Sequence, residues 1–225
     1  YQYLAELSQP QPLIVERSQV IAGGANAWDF VAEITNPNAL WYVPEIRYHF
    51  EAGGVSTETV TDYILPGQTK YVMELATASE QPLTNAELVI ENVEWRKQAM
   101  YEQLRDKVLN ISVDAANFTS AGLTGLSQAE QVSRVNFSVS NNSAYNFWNV
   151  DLKVLLVRGG TIIGVNNVPL ESLDAGQQRD IEYLIYGRVP TPGQVLVFPD
   201  VDILNPDSFT SFDGQGQGLF PGVVE

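Results

Sequence analysis

The stretch that decides the fold is Trp41 to Gly54, WYVPEIRYHFEAGG, because it returns as Phe147 to Gly160, FWNVDLKVLLVRGG. In each copy an aromatic pair leads into alternating apolar positions, and a Gly-Gly turn closes the run. The alternating set is Pro44, Ile46, Tyr48 and Phe50 in the first copy and Val150, Leu152, Val154 and Leu156 in the second. A period of two places successive side chains on opposite faces of a strand, so the stretch reads as the central strand of a β-sandwich that occurs twice.

The flanks repeat with it. Leu13 to Ile21 reads as a first strand, and Ala22 to Asn26 as the turn that ends it. Trp28, Phe30, Ala32 and Ile34 then alternate with Asp29, Glu33 and Thr35 until Asn36-Pro37-Asn38 breaks the strand, since Pro37 cannot donate to a ladder. Beyond the central strand, Val55 to Ile64 reads as an exposed strand and Leu65-Pro66-Gly67-Gln68 as a type II turn. Tyr71, Met73 and Leu75 alternate again, and Glu87 to Trp95 is a last strand.

The second half follows the same order. Asn141-Asn142-Ser143 stands for Asn36-Pro37-Asn38, and Asp174-Ala175-Gly176-Gln177 for the Pro-Gly turn; Val195 to Ile203 is the closing strand. Equivalent positions lie 105 residues apart at Ile34 and Val139, 106 at Gly53 and Gly159, and 109 at Gly67 and Gly176. Small loop insertions on a duplicated unit give that drift. The expected plan is an all-β chain with a leader over 1–12, a sandwich domain over 13–97 and a connector over 98–107. A second sandwich over 108–205 and a flexible Gly/Gln tail over 206–225 complete it. The connector, RKQAMYEQLRDK from Arg96 onward, has the only run of good helix formers with mixed charge.

Composition limits the functions open to such a chain. With 27 acidic and 12 basic residues, a net charge of −15 repels a phosphate backbone, so nucleic acid is not an expected partner. The absence of cysteine removes disulfides, zinc ribbons and thiol nucleophiles together. No apolar run is long enough to span a bilayer, and the chain starts at Tyr1 rather than Met; we expect membrane attachment only through an anchor upstream.

No catalytic constellation emerges, no cofactor is implied, and a non-enzymatic role is expected. His49, the sole histidine, lies by alternation on the outward face with Glu45 and Arg47, and no G-x-S-x-G elbow supplies it with a nucleophile. Asp200, Asp202, Asn205 and Asp207 in PDVDILNPD offer closely spaced hard oxygens suited to calcium, although Asp and Asn near Pro are also ordinary turn formers. By the alternation Tyr42 and Trp148 point inward, leaving Trp41 and Phe147 outward as possible contacts to a sugar or protein; the alternative is that these aromatics plug the open end of each sandwich. Asn110, Asn117, Asn136 and Asn141 head four N-x-S/T sequons, which matter only in a secretory pathway that glycosylates them.

The second half, from VSRVNFSVSNNSAYNFWNVDLKVLLVRGGTIIG through PLESLDAGQQRDIEY, resembles the FxLYD-type domains in its Asn turn (Asn141, Asn142), in Asn149-Val150, in the glycine hairpin and in the L-x-A-G-Q turn. The first half, with ITNPNALWYVPEIRYHF and ILPGQTKYV, looks similar, and its Asn-Pro-Asn is also like that of the LEA type 2 sandwich. Where the FxLYD pattern has Tyr-Asp, the chain has Phe50-Glu51 and Val157-Arg158. The resemblance implies two tandem immunoglobulin-like antiparallel β-sandwich domains in an exported or membrane-anchored protein. We therefore expect an extracytoplasmic, non-catalytic structural or protein-interaction module. The rival readings are a carbohydrate-binding surface protein that uses Trp41 and Phe147, and a subunit of a fibre or envelope that self-assembles through its tail or an edge strand.

Overall fold

The computed structural model describes residues 9–121, 132–186 and 189–211. The chain divides after Tyr101 into two compact units, within the expected connector, where Tyr101–Val108 forms the helix α1. Glu102 in its first turn and Arg105 and Lys107 in its last oppose the helix dipole with the favourable signs. No helix among the described residues is long and apolar enough to cross a membrane.

Unit 1 contains β1 (Ile14–Gly24), β2 (Ala27–Thr35), β3 (Trp41–Ala52), β4 (Val55–Ser56), β5 (Val60–Ile64), β6 (Thr69–Ala78) and β7 (Glu87–Lys97), all paired antiparallel. One sheet has the order β1-β2-β6. In the other, β3 is central, with β7 along one edge and β4 then β5 along the opposite edge. The run expected as one strand over Val55 to Ile64 is thus two, with Thr57 turning back so that its N–H donates to the Phe50 carbonyl. Phe30, Ala32, Ile34 and Val72 from the first sheet meet Val43, Ile46, Tyr48, Phe50, Ile64 and Leu88 from the second in one buried core. The Phe30 and Phe50 rings, one from each sheet, stand 5.4 Å apart. Two antiparallel sheets closing on a shared apolar core is a sandwich-like architecture.

Unit 2 repeats the pairing with β8 (Ile111–Thr119), β9 (Ser133–Asn141), β10 (Tyr145–Arg158), β11 (Thr161–Leu173), β12 (Gln178–Ile185), β13 (Gln194–Asp200) and β14 (Phe209–Ser211). The order β8-β9-β12 answers β1-β2-β6, and β10 takes the central place of β3, flanked by β11 on one edge and by β13 then β14 on the other. A short 3-10 helix, Pro206–Ser208, links the last two strands.

In both units one buried asparagine holds the sandwich end together. The Asn36 amide, fully buried, donates to the carbonyls of Trp41 at 2.7 Å and Leu65 at 3.0 Å and accepts from the Asn38 N–H at 3.0 Å. Asn141 donates to Tyr145, Leu173 and Asp174 carbonyls at 2.7, 3.0 and 3.1 Å and accepts from the Ser143 N–H at 3.0 Å. Each amide therefore fixes the loop between the second and third strands of its unit against the turn before β6 in unit 1 and before β12 in unit 2. That turn is built identically. Gly67 and Gly176 take φ of +66° and +71°, as a type II turn needs. Gln68 and Gln177 accept the N–H of Leu65 and Asp174 on their side-chain oxygens, at 2.8 and 2.9 Å.

Three expectations change. Alternation slips at the start of both central strands. In β3 the register shifts between Tyr42 and Glu45, where Pro44 has no N–H for the ladder, and Val43 rather than Pro44 enters the core. In β10 the exposed Asn149 has φ +52°, and the inward side changes parity across it: Phe147 and Val150 are both fully buried. Phe147 is therefore a core residue and not an outward contact. Leu155, by alternation an outward residue, is also fully buried, between Val165 of β11 and Leu196 of β13 in the sheet register.

The flexible tail does not begin at 206. Phe209 is buried, with its ring 5.7 Å from Tyr145 and 6.2 Å from Phe147, and β14 completes the edge of β10; the rest of the expected tail, 212–225, lies outside the described residues. Nor is the leader loose up to Pro12, for the Gln11 N–H donates to the Asn38 side chain at 2.7 Å and its carbonyl accepts in return at 2.8 Å.

Replacing Asn141 by Ala strands the buried carbonyls of Tyr145 and Leu173 and should lower unfolding stability of unit 2 by about 2–4 kcal/mol; Asn36→Ala should do the same in unit 1. Phe209→Ala should cost about 3–5 kcal/mol by opening a cavity against Tyr145 and Phe147. Urea unfolding of each variant against the parent chain measures both.

Candidate functional site

The richest polar cluster lies on the outward face of the β3-centred sheet in unit 1. Arg47, His49 and Glu51 alternate outward along β3, Glu91 stands beside them on β7, and Thr59 approaches from the segment before β5. His49 Nδ1 is 2.8 Å from Glu91 Oε1, and its Nε2 is 3.2 Å from Glu51 Oε1. Thr59 donates its hydroxyl to Glu91 at 2.7 Å, and the Arg47 guanidinium lies 3.7 Å from the second Glu91 oxygen. The hydrogen bonds accepted by Glu51 and Glu91 raise the His49 pKa above its ordinary 6.5, while the Thr59 and His49 contacts lower that of Glu91. The expectation that His49 lies outward with charged neighbours holds. When protonated, the ring donates to both carboxylates and has no free basic nitrogen.

A second feature is the buried cation Lys70 on β6. Its side chain is only 3% exposed, 2.9 Å from Asp62 Oδ1 and 3.1 Å from the Tyr63 carbonyl, with the Tyr63 ring centre at 4.0 Å. The pair joins β6 of one sheet to β5 of the other. Asp29 on β2 plays a related part: its carboxylate caps the Ala76 N–H at 2.9 Å where β6 bulges with φ +58°. Burial raises the Asp29 pKa despite that hydrogen bond. A side chain at Gly23 would displace the same carboxylate, since its Cβ would fall 2.6 Å from Asp29 Oδ2. These charges brace bulges and sheet edges.

Two shallow grooves lie on the described surface. One, of about 250 Å³, runs over the outside of the β8-β9-β12 sheet and is lined by Asn117, Asn136, Ser138, Asp180 and Glu182. Ser138 donates its hydroxyl to Asp180 at 2.6 Å, and Asn117 its amide to the Ala115 carbonyl at 2.8 Å. The other, of about 340 Å³, surrounds the Gly53-Gly54 hairpin between Glu51, Ser56, Asn85 and Glu87. Neither sets a histidine against a hydroxyl nucleophile.

The residues singled out in the sequence are scattered. Trp41 is half-buried at the start of β3, with the Lys97 ammonium 6.0 Å from its ring centre, whereas Phe147 is in the core of unit 2. Asp200 is buried at the end of β13, and Asp202 accepts the Leu204 N–H at 3.0 Å. Asn205 caps the 3-10 helix by accepting the Asp207 N–H at 3.1 Å, and Asp207 is exposed. Their oxygens act in turns, and among the described residues no three His, Asp or Glu side chains are arranged to hold a metal ion. Of the sequons, Asn110 and Asn117 are exposed and Asn136 partly so, while the Asn141 amide nitrogen is consumed by three carbonyls. Sequence reasoning missed the Lys70–Asp62 pair; a lone Lys in an otherwise apolar-polar alternation carries no mark of burial.

Lys70→Ala should destabilise unit 1 by about 3 kcal/mol, the low end for breaking a buried pair because Asp62 keeps some solvent. Lys70→Met, which fills the same space, should cost clearly less in the same urea titration. No protein-family model matches the chain, and a search of curated proteins returns no relative.

Proposed function

We propose that the two units are immunoglobulin-like β-sandwich modules in tandem within an extracytoplasmic, non-catalytic protein that serves a structural or protein-interaction role. The observation that carries this reading is the division of labour between the copies. What recurs in both, the buried asparagine with its Gly-Gln turn, only secures the fold. What differs lies on the outer faces: a cluster around His49 and Glu91 in unit 1, and in unit 2 the Asp151–Lys153 pair beside Phe198, which is 39% exposed. Repeated scaffolds with divergent faces suit recognition better than turnover, since surface residues can vary without disturbing the frame. The likeness to FxLYD-type domains supports the compartment.

The carbohydrate-binding rival loses half of its aromatic pair with Phe147 in the core, and now rests on Trp41 alone. In the source cells, the chain should fractionate outside the cytoplasm and be cut by protease added to intact cells; recovery in the cytosol, protected from protease, overturns the proposal. On a glycan array the chain should give no signal; binding that disappears with Trp41→Ala moves the function to the rival.

A further inference from the structure

We propose that His49 is a proton-operated clamp across the β3-centred sheet of unit 1, closed when the imidazole is charged and released when it is neutral. The argument rests first on hydrogen-bond bookkeeping. Ionised carboxylate oxygens accept and cannot donate, so the 2.8 Å contact to Glu91 and the 3.2 Å contact to Glu51 are both hydrogen bonds only when both ring nitrogens carry hydrogen. Only the imidazolium does so. A neutral ring keeps one N–H and turns a lone pair toward the other carboxylate.

The clamp ties three segments. Through His49 and Glu91 it joins β3 to β7, and through Thr59 it holds the segment before β5 to the same carboxylate. The charged groups around the ring are Arg47 and Glu51 from β3 and Glu91 from β7; Glu87 stands opposite Glu51 in the strand register, and Glu58 precedes Thr59. Acid outnumbers base, which favours the charged ring. When the proton leaves, the longer contact to the more exposed Glu51 is the weaker partner, and we expect it to open first. Glu51 also borders the groove at the Gly53-Gly54 hairpin, so release changes the polar lining of that groove.

The sign follows from the directions of the shifts. A histidine whose folded pKa exceeds 6.5 contributes stability that is fully present below 6.5 and is lost as pH rises through the raised value. Glu91, lowered from 4.5, contributes stability present above that value and lost as pH falls through its folded pKa. The clamp is therefore complete in mildly acidic medium and weakens on the alkaline side.

Because the chain has one histidine, its ring resonances titrate without overlap in the full protein. Nuclear magnetic resonance titration should place the midpoint above 6.5, with Glu51→Gln and Glu91→Gln each moving it back toward 6.5. A wild-type midpoint at or below 6.5, or one that Glu91→Gln leaves in place, overturns the proposal.

Stability supplies the second readout. With Trp148→Phe, the remaining tryptophans Trp28, Trp41 and Trp95 all report on unit 1. The urea midpoint of that protein should fall between pH 6 and pH 9, and adding His49→Gln should flatten the fall. Asp29 and Glu74, whose pKa values burial raises, titrate alike in both proteins and cancel from the comparison. An undiminished fall in the His49→Gln protein also overturns the clamp.

Discussion

Each unit depends on one buried amide. At the end of a sandwich the chain must leave one sheet, cross and enter the other, and its carbonyls there have no ladder partner. Left bare in an apolar interior they would each carry a desolvation penalty of about 1–3 kcal/mol. Asn36 and Asn141 remove that penalty with a single side chain each, donating to carbonyls on two different loops while accepting from the N–H two residues on. An aspartate in the same place would accept but not donate, and a serine would not reach both loops. The asparagine is thus the group whose chemistry the crossing requires.

The rest of each unit is arranged around that tie. Backbone bonds from Asn36 to Gln68 and from Asn141 to Gln177, both 2.9 Å, dock the turn on the loop; the turn then directs the next strand into the sheet. The segment preceding each sandwich is held to the same corner, Gln11 by Asn38 in unit 1 and Asn110 by the Asn142 N–H at 2.7 Å in unit 2. With the corner fixed, the register of the central strand is fixed, and so is which side chains share the outward face. The His49 cluster exists because β3 presents Arg47, His49 and Glu51 at alternate positions while β7 brings Glu91 alongside them. The corresponding face of unit 2 carries Lys153 and Leu155 instead, and its chemistry is different.

Much of this was readable in the residues themselves. Alternation located the inward set from Ile46 to Phe50 and from Val150 to Leu156, and the Gly-Gly pair located both hairpins. The Asn-Pro-Asn and Asn-Asn-Ser motifs marked the corners, though as strand breakers; their role as donors to two loops was not visible, because the acceptors lie about thirty residues away in the chain. The site was less legible than the fold. His49 could be placed outward with Arg47 by counting, but Glu91 is 42 residues distant and joins it only through strand pairing.

What the sequence alone determined is the local part: strand periodicity, turn chemistry, the duplicated order and an acidic, cysteine-free surface. These follow from each residue's own backbone preference and polarity, which act over a few positions. Tertiary structure decided the side on which the exceptions fall. A left-handed Asn149 turned Phe147 into the core, Pro44 shifted the start of β3, Phe209 closed the second core from beyond its expected end, and Lys70 was buried against Asp62. Each outcome depends on contacts between segments far apart in the chain, whose energies exceed the local preference they override.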